Sequence, residues 1–164
     1  MKTPFNRFGT MLDCSRNAVM NIKSVKNWID MTADMGFNML MLYTEDTWEV
    51  ENQPKFGYLR GRYTTNELKE LDAYAESKGV ELIPCIQTLA HLNQYLLWNE
   101  VAAVKDVNDI LLIDEPKTYE LIEDMFSTLR QCFKTNKIHI GMDEAHMVGL
   151  GKFLDKNGFQ NRFE

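Results

Sequence analysis

The sequence predicts an α/β fold built on a parallel sheet of four successive strand–helix units. Three observations predict it. Four short apolar segments alternate with longer helical patterns, which is the sequence form of βα units. Each helical pattern carries start and stop chemistry of its own. The connections after the second and third strands run long, roughly 44–63 and 87–114, as binding loops on one face of a compact sheet do.

The first strand is expected near Gly9 to Asp13. The helix after it has Ser24 as its N-cap, Trp28, Ile29, Met31 and Met35 at helical spacing, and Gly36 as its stop. A Met-rich second strand follows near Asn38 to Tyr43. Thr64-Thr65-Asn66-Glu67 then forms a capping box, ahead of an apolar stripe of Leu68, Leu71 and Tyr74 and a left-handed cap at Gly79. The third strand lies near Val80 to Ile86. Asp114 caps the next helix, which carries Pro116 in its first turn and Leu121, Ile122, Met125, Phe126 and Leu129 on its apolar face. A fourth strand is expected near Lys137 to Gly141 and a last helix between Met147 and Asn157, stopped by Gly158. No repeat, linker or low-complexity tract divides the chain, so residues 1–164 read as one domain.

Composition narrows the function classes. A net charge of −6 lacks the clustered Lys and Arg surplus that nucleic-acid phosphates require. No apolar run approaches the roughly 18 residues that span a bilayer, and Met1 to Gly9 lacks the apolar stretch of a signal peptide. The expectation is a cytoplasmic protein with neither nucleic-acid nor membrane partners. Cys14, Cys85 and Cys132 are an odd number and widely spaced, which suggests a reducing compartment and no disulfide framework.

In parallel βα architectures the reacting groups gather just beyond the carboxyl ends of strands. Arg16 follows the first strand, Glu45, Asp46 and Trp48 the second, His91 the third, and Asp143-Glu144 the fourth. Taken together, a guanidinium, carboxylates, an imidazole, an indole and an adjacent acid pair suit a sugar: they offer hydroxyl partners, an apolar ring face and proton donors. Individually, each reads as readily as a loop or cap residue. Trp48 stacks on a sugar or packs on a helix, Tyr95, Trp98 and Asn99 are open between the same readings, and His139 reads as a hydrogen-bonded strand histidine. Glu100, Asp106 and Asp109 read as solvated loop charge, and Trp28 as core.

The strongest local signal is His139-Ile140-Gly141-Met142-Asp143-Glu144. A His-x-Gly-x-Asp-Glu run after a strand resembles the signature of glycoside hydrolase family 20, the (β/α)8-barrel β-N-acetylhexosaminidases. Leu12-Asp13-Cys14-Ser15-Arg16 is similar to that family's Leu-Asp-x-Ser-Arg, Glu45-Asp46-Thr47-Trp48 to its Asp-Asp-x-x-Trp, and Pro84 through His91 to its Pro-Glu-Ile-Asp-x-Pro-Gly-His. Departures mark a divergent branch: Glu45 stands for the first Asp, Cys85 and Gln87 replace two acids, Leu89-Ala90 replaces Pro-Gly, and Met142 replaces a Gly.

The resemblance implies the first four βα units, half of a (β/α)8 barrel, in a hydrolase that removes terminal β-linked N-acetylhexosamine without cofactor or metal. It implies substrate-assisted retaining catalysis, the exception among retaining glycosidases. The sugar's own acetamido carbonyl attacks the anomeric carbon, Asp143 orients the acetamido group, and Glu144 acts as general acid and then base. Arg16 would hold ring hydroxyls, and His91, with Glu45 or Asp46, would support the acid. The half barrel alone would be inactive and would pair with the missing half, or with itself, through exposed edges. Two rival readings stand beside this one. One is a non-catalytic barrel remnant that binds amino sugars. The other is a metal-dependent barrel hydrolase in which His91, His139, Asp143, Glu144 and His146 converge on a divalent ion.

Overall fold

A computed structural model describes residues 5–16 and 18–162, so both ends of the expected 1–164 domain, with the first residues of the Met1 to Gly9 segment, lie outside the described residues. Strands β1 (Gly9–Asp13), β2 (Met39–Tyr43) and β3 (Glu81–Cys85) form one parallel sheet in chain order. Helices α1 (Ile22–Asp34), α2 (Thr65–Ser77) and α3 (Pro116–Cys132) follow them in turn, and a short α4 (Lys152–Asn157) comes last. Parallel strands in chain order with helices between them are the arrangement found in part of a (β/α)8 barrel.

The register sorts the side chains. Leu12 lies beside Leu42, and Leu42 beside Pro84; Asp13, Tyr43 and Cys85 form the next row. Because neighbours in register share a face and successive residues alternate, Leu12, Leu40, Leu42 and Leu82 all point to the helix side, where they are buried against Val25, Ile29, Leu68, Leu71 and Met125. Trp28 confirms that side by donating its indole N–H to Thr10 at 3.1 Å. The opposite row is the barrel interior. There Met11, Tyr43, Cys85, His139, Met142 and Asp143 border an open concavity of about 640 Å³.

The fourth strand is shorter than expected, reduced to a parallel bridge between His139 and Cys85. His139 N–H donates to Pro84 O at 3.0 Å, Ile86 N–H to His139 O at 2.9 Å, and Thr88 N–H to Gly141 O at 3.0 Å. The ladder stops at both ends for local reasons. Pro84 has no N–H for the carbonyl one pair back, at Lys137, and Gly141 turns away at φ +53. Ile140 and Met142 are exposed on this segment, as is Met11 on β1. His139, expected as a hydrogen-bonded strand histidine, makes its ladder bonds through its backbone while its side chain is exposed.

Capping explains the other differences. Asn21 accepts the Ser24 N–H at 2.9 Å and is the true N-cap of α1, so the helix starts before Ser24. Asp114 sits at φ +59, outside the extended conformation an N-cap adopts, and Glu115 caps α3 instead. The last helix begins at Lys152 because residues 147–151 turn through Gly149 at φ +76. The capping box at Thr64 and Glu67 is present as predicted. All three cysteines are free and buried. Among the described residues no helix is long and apolar enough to cross a membrane.

Candidate functional site

Four loops at the strand ends bring Arg16, Glu45, His91, Asp143 and Glu144 together. Asp13, the last residue of β1, accepts from the Ser15 hydroxyl at 2.7 Å and from Arg16 Nη1 at 3.1 Å, which turns the guanidinium inward. Arg16 Nη2 then approaches Glu45 Oε1 at 3.7 Å, and its guanidinium carbon stands 5.5 Å from the centre of the Tyr43 ring. Burial pushes the Glu45 carboxyl up, while the Arg16 and His91 charges draw it back.

His91 is the hub. Its Nδ1 lies 4.0 Å from Glu45 Oε1, and its Nε2 lies 3.6 Å from Asp143 Oδ2 and 3.6 Å from Glu144 Oε2. The imidazole is largely buried, and among the described residues its Nε2 has no hydrogen bond. Its backbone is held at φ +59 by the Asp109 carboxylate, which accepts the His91 N–H at 3.1 Å. Asp109, expected as solvated charge, is therefore the residue that fixes the hub. Glu144 also takes a positive φ, +56, an uncommon conformation for a side-chain-bearing residue and one that collects at functional sites. Both acids remain open, with side-chain exposures of 58% for Asp143 and 66% for Glu144.

Two site expectations are corrected. Asp46 does not reach His91: it is 2% exposed and its carboxylate lies 3.6 Å from Arg60 Nη2, so of the two candidate partners only Glu45 approaches the imidazole. Trp48 offers no face to a sugar. It is 1% exposed, packs edge-on against Phe56 at 5.5 Å between centroids and donates its N–H to the Glu45 carbonyl at 3.3 Å. Its contact with Phe56, eight residues away, encloses an indole whose local sequence is polar. Tyr95 is likewise buried, donating to Gln53 Oε1 at 2.9 Å, whereas Trp98 stands against Tyr58 with Lys55 4.2 Å above its ring. Glu100 is exposed and paired with Lys55.

Residues outside the predicted set complete the wall. Tyr43 donates its hydroxyl to Glu45 Oε1 at 3.4 Å and accepts from Gln87 Nε2 at 3.1 Å. Gln87 Nε2 also donates to Asp143 Oδ1 at 3.2 Å. That bond, ahead of the opposing effect of partial burial, holds the Asp143 carboxyl below its ordinary range. The parity of β3 was the available signal, because residue 87 lies two past Cys85 and so points inward. Asp106, also expected as solvated charge, is 6% exposed and accepts the Gly149 and Phe153 N–H groups, each at 2.9 Å. It anchors the far end of the segment that carries the acid pair. Among the described residues no group of three or more His, Cys, Asp and Glu side chains is placed to hold a metal ion, and His146 meets Arg162 through its backbone carbonyl.

Comparison with known proteins identifies a family. Residues 5–162 match the glycosyl hydrolase family 20 catalytic domain. The chain is 27% identical over 168 residues to a beta-hexosaminidase of Akkermansia muciniphila, covering 84% of this chain and 34% of that protein. It is 27% identical over 164 residues to a beta-hexosaminidase of Emericella nidulans, covering 83% and 27%. Among solved structures, a mutant Streptomyces plicatus beta-hexosaminidase in complex with product GlcNAc superposes with a TM-score of 0.74 at 26% identity, covering 87% of this chain and 34% of that one. Flavobacterium johnsoniae chitobiase superposes with a TM-score of 0.75 at 26% identity, covering 94% and 25%. The chain thus spans 27% to 34% of the length of these two relatives.

Proposed function

Since the chain belongs to glycosyl hydrolase family 20, we propose that it supplies the acid pair of a site that removes terminal β-linked N-acetylhexosamine from glycoconjugates. The observation that carries this reading is the meeting of Asp143 and Glu144 at one nitrogen, His91 Nε2, 3.6 Å from each. In this account the nucleophile is the acetamido carbonyl of the sugar, which attacks the anomeric carbon with retention of configuration. Asp143 accepts the acetamido N–H and balances the positive charge of the oxazolinium ion. Glu144 protonates the departing oxygen, then takes a proton from the water that opens the ring. His91, backed by Glu45, steadies Glu144, and Arg16 donates to ring hydroxyls. None of these steps uses a metal or an organic cofactor.

Residues 1–164 in this account are the first four βα units of the barrel. The sheet runs from β1 at one edge to the His139 bridge at the other; in this reading further strands would pair at those edges, and the four units alone would be inactive.

The test compares a chromogenic N-acetyl-β-hexosaminide with the corresponding plain β-hexoside, using the protein at its full natural length and its Glu144→Gln variant. Cleavage of the acetamido substrate alone, lost in the variant, is the expected result. Equal cleavage of both sugars would remove substrate assistance. Tight binding of N-acetylhexosamine without cleavage would favour an amino-sugar-binding remnant.

A further inference from the structure

Gln87 is completely buried, yet it is neither apolar nor fully bonded. Its Nε2 spends both hydrogens, one on Tyr43 Oη at 3.1 Å and one on Asp143 Oδ1 at 3.2 Å. Its Oε1 is buried without a hydrogen bond among the described residues. The chemistry decides the orientation of the amide: turned over, the carbonyl oxygen would face an ionised carboxylate that has no proton to give. The side chain is also clamped. A Cβ on Gly141 would lie 2.7 Å from Gln87 Oε1 and 2.1 Å from the Ile86 carbonyl, so only glycine at 141 lets the fourth strand close over this amide.

Three hydrogen bonds and two longer charge contacts make a ring. Gln87 joins Asp143 to Tyr43, Tyr43 donates to Glu45 at 3.4 Å, Glu45 faces His91 Nδ1 at 4.0 Å, and His91 Nε2 returns to Asp143 at 3.6 Å. A buried amide that leaves its own oxygen unsatisfied costs stability, and a site with that cost points to a role other than filling space.

We infer that Gln87 is a positioning residue, a fixed N–H donor that orients the Asp143 carboxylate and joins it to the Glu45–His91 arm. The inference deepens the glycosidase reading and rests on it. At this position the resembling family segment has an acid, which could donate to Asp143 only by carrying a proton that the two carboxyls would share. An amide donates at every pH. Here Asp143 keeps its negative charge, and its acceptor lone pairs for an acetamido N–H, without a shared proton. The other titratable groups facing Asp143 are His91, His139, Glu144 and Cys85; Tyr43 reaches it through the amide.

The test uses Gln87→Glu, which keeps the shape and makes the site a carboxyl pair, and Gln87→Met, which keeps the length and removes the donor. The protein at its full natural length, labelled with carboxyl-13C aspartate, is titrated by NMR, and kcat and KM are followed across pH. The Asp143 titration should move up by at least about one unit in Gln87→Glu, and the acid limb of kcat should move with it. Gln87→Met should move the titration the same way and lower kcat about tenfold, with KM changed less. An Asp143 titration unchanged in both folded variants would overturn the inference and leave Gln87 as packing. The NMR result stands even if the unsubstituted protein cleaves no hexosaminide, so failure of the glycosidase reading and failure of this inference are told apart.

Discussion

Replacing Asp106 with alanine should loosen the segment that carries the Asp143–Glu144 acid pair. The carboxylate takes the Gly149 and Phe153 N–H groups, each at 2.9 Å, and it does so at the start of α4, where Gly151 has no side chain to cap with. Hydrogen bonds to a charged acceptor are worth about 1.5–3 kcal/mol each. The Phe153 N–H is buried and would be left bare, whereas the Gly149 N–H would recover part of its loss from water. The expected cost is therefore about 2–4 kcal/mol, of which roughly 1 kcal/mol is ordinary loss of an N-cap acceptor. Urea denaturation reads the total, and hydrogen exchange locates it: protection of the Gly149 and Phe153 amides should fall by about a hundredfold while that of β2 changes only with global stability. A loss below about 0.5 kcal/mol with unchanged exchange at both amides would refute this, because two charge-assisted bonds, one of them to a buried N–H, cannot vanish without one of those signals.

Two further outcomes are expected. Thr64→Ala removes the hydroxyl that accepts the Glu67 N–H at 3.2 Å and should destabilise the protein by about 1 kcal/mol in urea, with little effect on the site. Glu81, bonded first by Lys137 and Thr135 and then by Arg7, is pulled from an ordinary 4.5 down to about 2. Its folded value lies below the unfolded one, so the stability it contributes is present above about pH 4.5 and is lost as pH falls toward 2. Gln at position 81 should flatten the acid limb of a stability–pH curve in that window, and an unchanged limb would count against the cluster.

How much of this could be read without coordinates depends on the distance over which each feature is decided. β1 matched its expected bounds of Gly9 to Asp13, and the box at Thr64 and Glu67 was visible, because alternation and caps are settled within a few residues. The α1 start was displaced to Asn21 because both Asn21 and Ser24 suit a cap, and it is the Asn21 side chain that accepts a first-turn amide, that of Ser24. The fourth strand shrank because Pro84, on its neighbour, withholds a donor, a fact about pairing rather than about residues 137–141. Asp106 and Asp109 looked like loop charge because their partners at Gly149, Phe153 and His91 are brought to them only by folding. Trp48 was ambiguous for the same reason, its enclosure being decided by the ring of Phe56. Arg16, Glu45, His91, Asp143 and Glu144 were legible because strand ends in a parallel sheet converge whatever the loops do.

The account turns on Glu144 delivering a proton to the departing oxygen. Its most direct test is the rate of the unsubstituted protein and of Glu144→Gln, at full natural length, on two N-acetyl-β-hexosaminides with very different leaving groups. A poor leaving group needs the proton, so the variant should lose about 10²–10⁴-fold on it, and far less on an activated aryl leaving group that departs as an anion. An equal loss on both substrates would contradict the assignment and remove Glu144 from the role of general acid.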